Sequence, residues 1–308
     1  MTAEFTMSHI VDQLFERGFV HVPGFLDPEE TEALAQDYRQ GQFHRTVYTL
    51  GHATPEAIEL IGDKIRALLT QFEDVPQFKP SRFGGGAYFA TEKGINFGWH
   101  QDHESYFINQ THQHYLNIYI PVIKPEREHT NLCVIPIDRF KERSPDAWSV
   151  LEWGGAATAK TEGGQTTISN DHAGGLHAEL DFELEELCET PELVAGDALL
   201  LRGDMFHRTQ DNDTERVALS VRAFNPDITV VKEHYEQNCP AKRWFQANNP
   251  MYGAITEAFA ERDIMILSEL MMSMFNARRA REQAAQNQQH APQKNSLPQD
   301  NLPQNKEK

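Results

Sequence analysis

The chain has 308 residues, a formal net charge of −18, and 39% hydrophobic and 10% aromatic residues. A surface this acidic repels phosphate backbones and anionic headgroups, so neither nucleic acid nor a membrane is an expected partner, and no apolar run approaches the ~18 residues of a membrane span. The first residues lack the basic start and apolar stretch of a secretory signal, and Cys133, Cys188 and Cys239 make neither a disulfide framework nor a CxxC motif. The reading is a cytoplasmic protein with free thiols.

Ser8 is placed to cap a short helix with Val11, Leu14 and Phe15 on one face, ending at Gly18. Phe19 to Val22 reads as a strand closed by Pro23-Gly24. Asp27-Pro28-Glu29-Glu30 starts a second helix, with Asp27 as N-cap, Pro28 at the first helical position and Glu30 as capping-box partner. Ile58, Ile61, Ile65, Leu68 and Leu69 predict a third helix over 55–72. From Phe83 to Phe224 the pattern changes to short strands: 87–90, 115–122, 132–135, 198–201 and 217–224. Two are near-continuous apolar runs, expected where both faces of a strand are covered.

Residues 140–190 read as a loop-rich insertion with Gly154-Gly155, Gly163-Gly164 and Gly174-Gly175, kept ordered by Trp148 and Trp153. Trp148 and Trp153 are either lid residues or a satellite cluster under a loop. Beyond Pro226 a long helix is expected over 255–280. Its Met271, Met272 and Met274 are core residues or homodimer contacts. The Gln-, Asn- and Pro-rich stretch 281–308 should be a disordered polar tail, leaving a single domain over 1–280.

Trp99-His100-Gln101-Asp102 carries most weight. On an extended backbone residues i and i+2 point the same way, so His100 and Asp102 can reach one ion. His207 follows the apolar strand 198–201. Two imidazoles and one carboxylate fit the facial triad of non-haem iron oxygenases, and a zinc site uses the same donors. HxD pairs arise by chance, so context decides. That context is Arg216, nine residues beyond His207, opening the strand 216–222. Antiparallel geometry should lay this strand beside the one leading into His207. A fixed guanidinium there would grip the distal carboxylate of 2-oxoglutarate. The plainer alternative is a surface residue paired with Glu215 or Asp213.

Four blocks in this order resemble the phytanoyl-CoA dioxygenase family of Fe(II)/2-oxoglutarate oxygenases: Gly18 to Glu30, Trp99 to Asp102, Asn131 to Pro136, and Gly196 through His207 to Arg216. The resemblance covers most of the chain up to Pro226. It implies an α+β fold, mainly β with flanking helices around a double-stranded β-helix (jelly-roll) core. It also implies Fe(II) as cofactor, O2 and 2-oxoglutarate as co-substrates, succinate and CO2 as products, and hydroxylation of a small molecule, amino-acid-like or a natural-product intermediate. Desaturation or cyclisation at the same iron, a non-catalytic jelly-roll binding protein and a zinc hydrolase are the alternatives.

Carried over by position, His100, Asp102 and His207 are the metal ligands. Arg216, Thr209 and Asn117 hold the co-substrate. His103, Glu104, Tyr106 and Arg222 are candidate substrate contacts. The sequence departs from the family at Leu132, at Ile137-Asp138-Arg139, and at Ser220, four beyond Arg216. Halogenating relatives replace the metal carboxylate with a small residue, so Asp102 favours hydroxylation or a related oxidation over chlorination. Outside the resemblance, His112-Gln113-His114 reads as structural or substrate-facing, and Gly84-Gly85-Gly86 as a turn or a bend at the start of a strand.

Overall fold

In the computed structural model the apolar runs become the interior of a two-sheet sandwich. Residues 7–41, 51–91, 97–102, 105, 109–152, 156–170, 176–236, 247 and 250–289 are described. The strands are β1 (Phe19–Val22), β2 (Gly51–His52), β3 (Arg82–Ala90), β4 (Tyr115–Ile123), β5 (Leu132–Val134), β6 (Thr158–Glu162), β7 (Gln165–Asn170), β8 (Leu176–Leu180), β9 (Ala198–Arg202), β10 (His207–Thr209), β11 (Val217–Phe224), β12 (Thr229–Val231) and β13 (Ile264–Ile266). The helices are α1 (Met7–Glu16), α2 (Pro28–Gln40), α3 (Pro55–Thr70), α4 (Ile137–Arg143), α5 (Pro145–Glu152), α6 (Lys232–Glu236), α7 (Pro250–Ala258) and α8 (Leu267–Gln289). No helix among the described residues is long and apolar enough to cross a membrane.

The first sheet has the order β1-β9-β4-β11-β3-β2, all antiparallel. Its alternation sorts side chains between two cores. Leu116, Ile118, Ile120, Leu200, Val217, Leu219 and Val221 face outward and pack with Leu14, Leu34, Ile61 and Ile65 of the first three helices. Tyr119, Leu199, Leu201 and Ala218 face inward, against Leu132, Val134, Ile168 and Leu180 of the second sheet. Both faces are covered, which is why these strands read as continuous apolar runs. Each fully buried leucine or isoleucine contributes about 1.5–3 kcal/mol.

The second layer is assembled from short pieces. β10 pairs with β5, β6-β7-β8 form a meander, and residues 99–101 bridge the two sets through His100↔Thr158 and His100↔His207. Two antiparallel sheets closing on one cavity make the jelly-roll that the resemblance implies.

The Asp27 capping box forms as read, with Glu30 N donating to Asp27 Oδ1 at 2.9 Å and Asp27 N to Glu30 Oε2 at 2.9 Å. The stretch 140–190 is not loop-rich: it holds α4, α5 and the three-stranded meander. Gly163 and Gly164, at φ +62° and +85°, are the two-residue hairpin turn between β6 and β7, where left-handed backbone favours glycine. Trp148 is buried in the inner core, so it is no lid; Trp153 lies outside the described residues.

The helix expected over 255–280 is interrupted. β13 pairs with β12, because β-branched Ile264 and Ile266 suit a strand, and α8 begins only at Leu267. In α8 Met274 is buried, while Met272 and Phe275 are each 60% exposed. The expected tail begins within a helix: α8 runs to Gln289, since alanine, arginine and glutamine are strong helix formers, and residues 290–308 lie outside the described residues. Gly84-Gly85-Gly86 lies inside β3, opposite an irregularity between Val221 and Ala223.

Candidate metal centre

A cavity of about 350 Å³ lies between the sheets. From the second layer come His100, Asp102, His207, Thr209, Leu132 and Thr158. The first sheet supplies Asn117, Tyr119, Ser220 and Arg222 with Phe89, and Arg216 stands just ahead of β11.

His100, Asp102 and His207 each offer one ligand atom, and these atoms lie within 4.8 Å of one another. Three donors about 2.1 Å from one ion stand roughly 3–4 Å apart, so small adjustments complete the site. His207 Nε2 is 3.8 Å from Asp102 Oδ1, and the imidazole centres are 4.3 Å apart. Both imidazoles hold their Nδ1 against backbone carbonyls: His100 to Gly98 O at 2.7 Å, His207 to Met205 O at 3.0 Å. A carbonyl only accepts, so Nδ1 carries the proton and Nε2 carries the lone pair that a metal would take.

The backbone explains the aim. His100 and His207 exchange both N–H···O bonds at 2.9 Å, and Gln101 N and Ala159 N bond to Ala157 O and Trp99 O. The segment is therefore extended, and His100 and Asp102 face the cavity. Gln101 points the other way, fully buried. Its amide donates to Leu151 O and Asp204 O at 3.3 and 3.0 Å and accepts from Ala157 N at 3.1 Å.

A relay reaches Asp102 from the first sheet. Arg222 Nη1 donates to Ser220 Oγ at 2.7 Å, Ser220 Oγ to Asn117 Oδ1 at 2.5 Å, and Asn117 Nδ2 to Asp102 Oδ2 at 3.0 Å. Burial pushes the Asp102 carboxyl up, but the charge of Arg222, the two imidazoles and the Asn117 bond together hold it below its ordinary value. It is thus ionised, as a ligand must be.

Arg216 is 2% exposed. Its Nη1 donates to Tyr119 Oη at 2.5 Å, while its buried Nε has no hydrogen-bond partner. Among the described residues no ion pair joins it to Glu215 or Asp213, so the plainer surface reading does not hold. A buried guanidinium with an unmet donor beside a cavity fits an anionic ligand group.

β11 does not lie beside β9, the strand leading into His207; β4 separates them. Arg216 reaches the cavity through side-chain parity instead: residues 216, 218, 220 and 222 share the inner face. Asn117 lines the cavity as expected, with its amide on Asp102, and Thr209 lines it with Oγ1 accepting from Phe97 N at 3.2 Å. Arg222 lines it too. His103, Glu104 and Tyr106 lie outside the described residues. His112 and His114 precede β4 and are structural: His112 Nδ1 is 2.7 Å from Ser105 Oγ, and His114 Nδ1 accepts from Lys79 N. Tyr119, Ser220 and Gln101 were missed as site residues. The first two were readable as the same-face neighbours of Asn117 and Arg216.

A second cluster, His129, Asp211 and Asp213, is partly exposed. Its central carboxylate is already used by Thr130 N and Asp213 N, so it staples a loop.

No protein-family model matches the chain, and no curated protein matches it. Among solved structures, the chain is similar to the non-heme alpha-ketoglutarate-dependent epimerase SnoN from nogalamycin biosynthesis (16% identity, 72% of this chain and 84% of that chain, TM-score 0.48). It is similar also to the alpha-ketoglutarate-dependent carbocyclase SnoK from nogalamycin biosynthesis (16%, 78% and 94%, 0.47). A third is HygX from Streptomyces hygroscopicus with iron bound (14%, 70% and 85%, 0.42).

Proposed function

We propose that the protein is an Fe(II)- and 2-oxoglutarate-dependent oxygenase that hydroxylates a small molecule. The observation that carries this reading is the pairing, in one cavity, of a His-Asp-His donor set with a buried guanidinium whose Nε is unmet. His100, Asp102 and His207 would hold the metal and leave three octahedral positions for a chelating co-substrate and O2. Arg216 would take the distal carboxylate, steadied by Tyr119, with the Thr209 hydroxyl on the same wall. When bound, the iron supplies O2 activation coupled to decarboxylation of 2-oxoglutarate.

The residues of the chain supply the rest. The relay from Arg222 orients and ionises Asp102. Phe89, Phe97, Trp99 and Leu132 line the cavity and exclude water from the reacting atoms. A volume of about 350 Å³ suits a small organic molecule beside the co-substrate. Asp102 occupies the position a halide would need, which supports hydroxylation over halogenation.

Anaerobic titration with Fe(II) and 2-oxoglutarate should produce the weak visible charge-transfer band of the chelate. Screening candidate substrates in air should then reveal stimulated succinate release. Absence of the band together with absence of succinate would sink the proposal.

A further inference from the structure

Two thiols meet on the outer face of the second layer. Cys133 sits at the centre of β5, opposite Arg208 of β10. Its neighbours Leu132 and Val134 pack into the inner core, so parity turns Cys133 away from the cavity. Cys188 arrives on the segment that bridges β5 through Val134↔Glu189, with N–H···O bonds of 2.8 and 2.9 Å in both directions. In that register Cys133 opposes Thr190, and Cys188 is the diagonal neighbour on the same face. Both sulfurs touch one hydroxyl: Thr190 Oγ1 is 3.3 Å from Cys133 Sγ and 3.8 Å from Cys188 Sγ. The two thiols therefore flank one side chain on the same face.

We propose that Cys133 and Cys188 form a redox-active dithiol, oxidised by a peroxide to a disulfide that displaces the strand ladder behind His207. Attack of one thiolate on a peroxide oxygen breaks the O–O bond, giving a sulfenic acid and hydroxide, or alkoxide from an organic peroxide. The partner sulfur then displaces the sulfenic oxygen as water and closes the S–S bond. Two thiols lose two electrons and two protons, and the peroxide gains both.

The chemistry is favoured by the surroundings. The neighbouring Cys188 thiol outweighs the effect of burial and, with the Thr190 hydroxyl and the Arg208 charge, holds the Cys133 thiol below its usual range. Access is through Cys188, which is half-buried, and beside Thr190, which lines a surface cleft of about 450 Å³ with Arg17 and His21; Cys133 itself is buried.

The coupling follows from geometry. Diagonal strand neighbours have Cα atoms about 7–8 Å apart, whereas a disulfide needs about 4.4–6.8 Å. Closing the bond draws β5 toward residues 188–190 by about 1 Å. β5 is the only strand paired with β10 among the described residues, and Val134 is the register partner of His207. The movement reaches a metal ligand through one residue.

The test uses the full chain, metal-free, with Cys239→Ser so that only this pair reports. After peroxide treatment and alkylation, peptide mapping should find Cys133 joined to Cys188, and dithiothreitol should restore both thiols. Mn(II), which prefers carboxylate and imidazole over thiolate, should bind the oxidised protein about 10-fold more weakly, the scale of a disturbed ligand support. In Cys188→Ser the same treatment should leave Mn(II) affinity unchanged. Thiols that remain alkylatable, or that reach sulfinic acid unpaired, overturn the dithiol. A mapped disulfide with unchanged Mn(II) affinity overturns the coupling to His207. Equal loss of affinity in Cys188→Ser assigns the effect to general peroxide damage and overturns it also.

Discussion

The two walls of the cavity are built by different means. On the first sheet Asn117, Tyr119, Ser220 and Arg222 project from nine- and eight-residue strands, with Arg216 directly before the second of them. β4 and β11 are paired along their length and covered on both faces. On the second layer His207 stands on a three-residue strand, and His100 and Asp102 on a segment joined by single bridges. The wall expected to hold the co-substrate's charge is stiff by its own ladder. The wall that would hold the metal depends on its supports: the Gln101 amide, the meander that begins at Thr158, and β5. Damage to the first wall should therefore change one ligand's affinity. Damage to the second should spread to the whole site.

The largest effect expected is His207→Ala. It would remove one of the three proposed metal ligands and the ring that faces His100, so Mn(II) or Fe(II) affinity should fall by more than about 100-fold, and 2-oxoglutarate binding should go with it. Calorimetric titration of each ligand checks this. Co-substrate binding that survives without metal would mean that damage to the second wall does not spread to the whole site.

Arg216→Ala should act on one side alone. Loss of a buried charge-assisted contact costs about 2–4 kcal/mol, roughly 30- to 1000-fold in 2-oxoglutarate affinity. Metal affinity should stay within about threefold of wild type, because among the described residues no hydrogen bond or ion pair joins Arg216 to the triad and its Nη1 bonds to Tyr119. A parallel loss of metal binding would show that the walls are not independent.

How far this division was readable in the sequence depends on the range of the interactions. The Asp27 capping box and the helix expected over 55–72 are local, and both form, the helix ending at Thr70. β4, β9 and β11 were readable because covered strands leave continuous apolar runs. His100, Asp102, His207 and Arg216 stood out by type and spacing, and the chain does bring them to one cavity. Strand order was not readable: nothing local to residues 198–224 says that β4 comes between β9 and β11. The meander was missed because glycine pairs were weighed as loop, although Gly163-Gly164 between Thr-rich flanks carries a hairpin signal. Gln101 has no signal at all. Its three partners, Leu151, Ala157 and Asp204, are about 50 to 103 positions away.

Gln101→Leu sharpens the dependence of the second wall on its supports. Leucine keeps much of the volume but leaves Leu151 O, Asp204 O and Ala157 N without this partner in a dry interior. Unsatisfied buried groups cost about 1–3 kcal/mol each, so a loss of about 3 kcal/mol is expected in urea unfolding. Metal affinity should drop as well, since the same amide fixes the backbone between His100 and Asp102. Stability lost with metal affinity intact would mean that the ladder to His207 suffices to aim the ligands.

The smallest effect tests the edge of the first sheet, through pH. Asp197 precedes β9 and ties down the turn after β1: Oδ1 accepts from Gly24 N at 2.8 Å, and Oδ2 from Val194 N at 3.0 Å and His21 Nε2 at 2.9 Å. Burial pushes its carboxyl up, but the His21 bond and the two backbone N–H groups outweigh this and hold it below its ordinary value. A depressed folded pKa means the ionised form favours folding. That stability is fully present above the unfolded value of about 4 and is lost as pH falls through the lower folded value. Asp197→Asn turns an N–H donor toward these donors and should cost about 1–2 kcal/mol at neutral pH. The gap to wild type should then narrow below about pH 4, as protonation takes from wild type what the variant already lacks. Urea titrations at stepped pH measure it. Because the first sheet stands on its own ladder, Mn(II) affinity should not move, and a gap that widens in acid would mean that the charge on Asp197 is not what holds this edge.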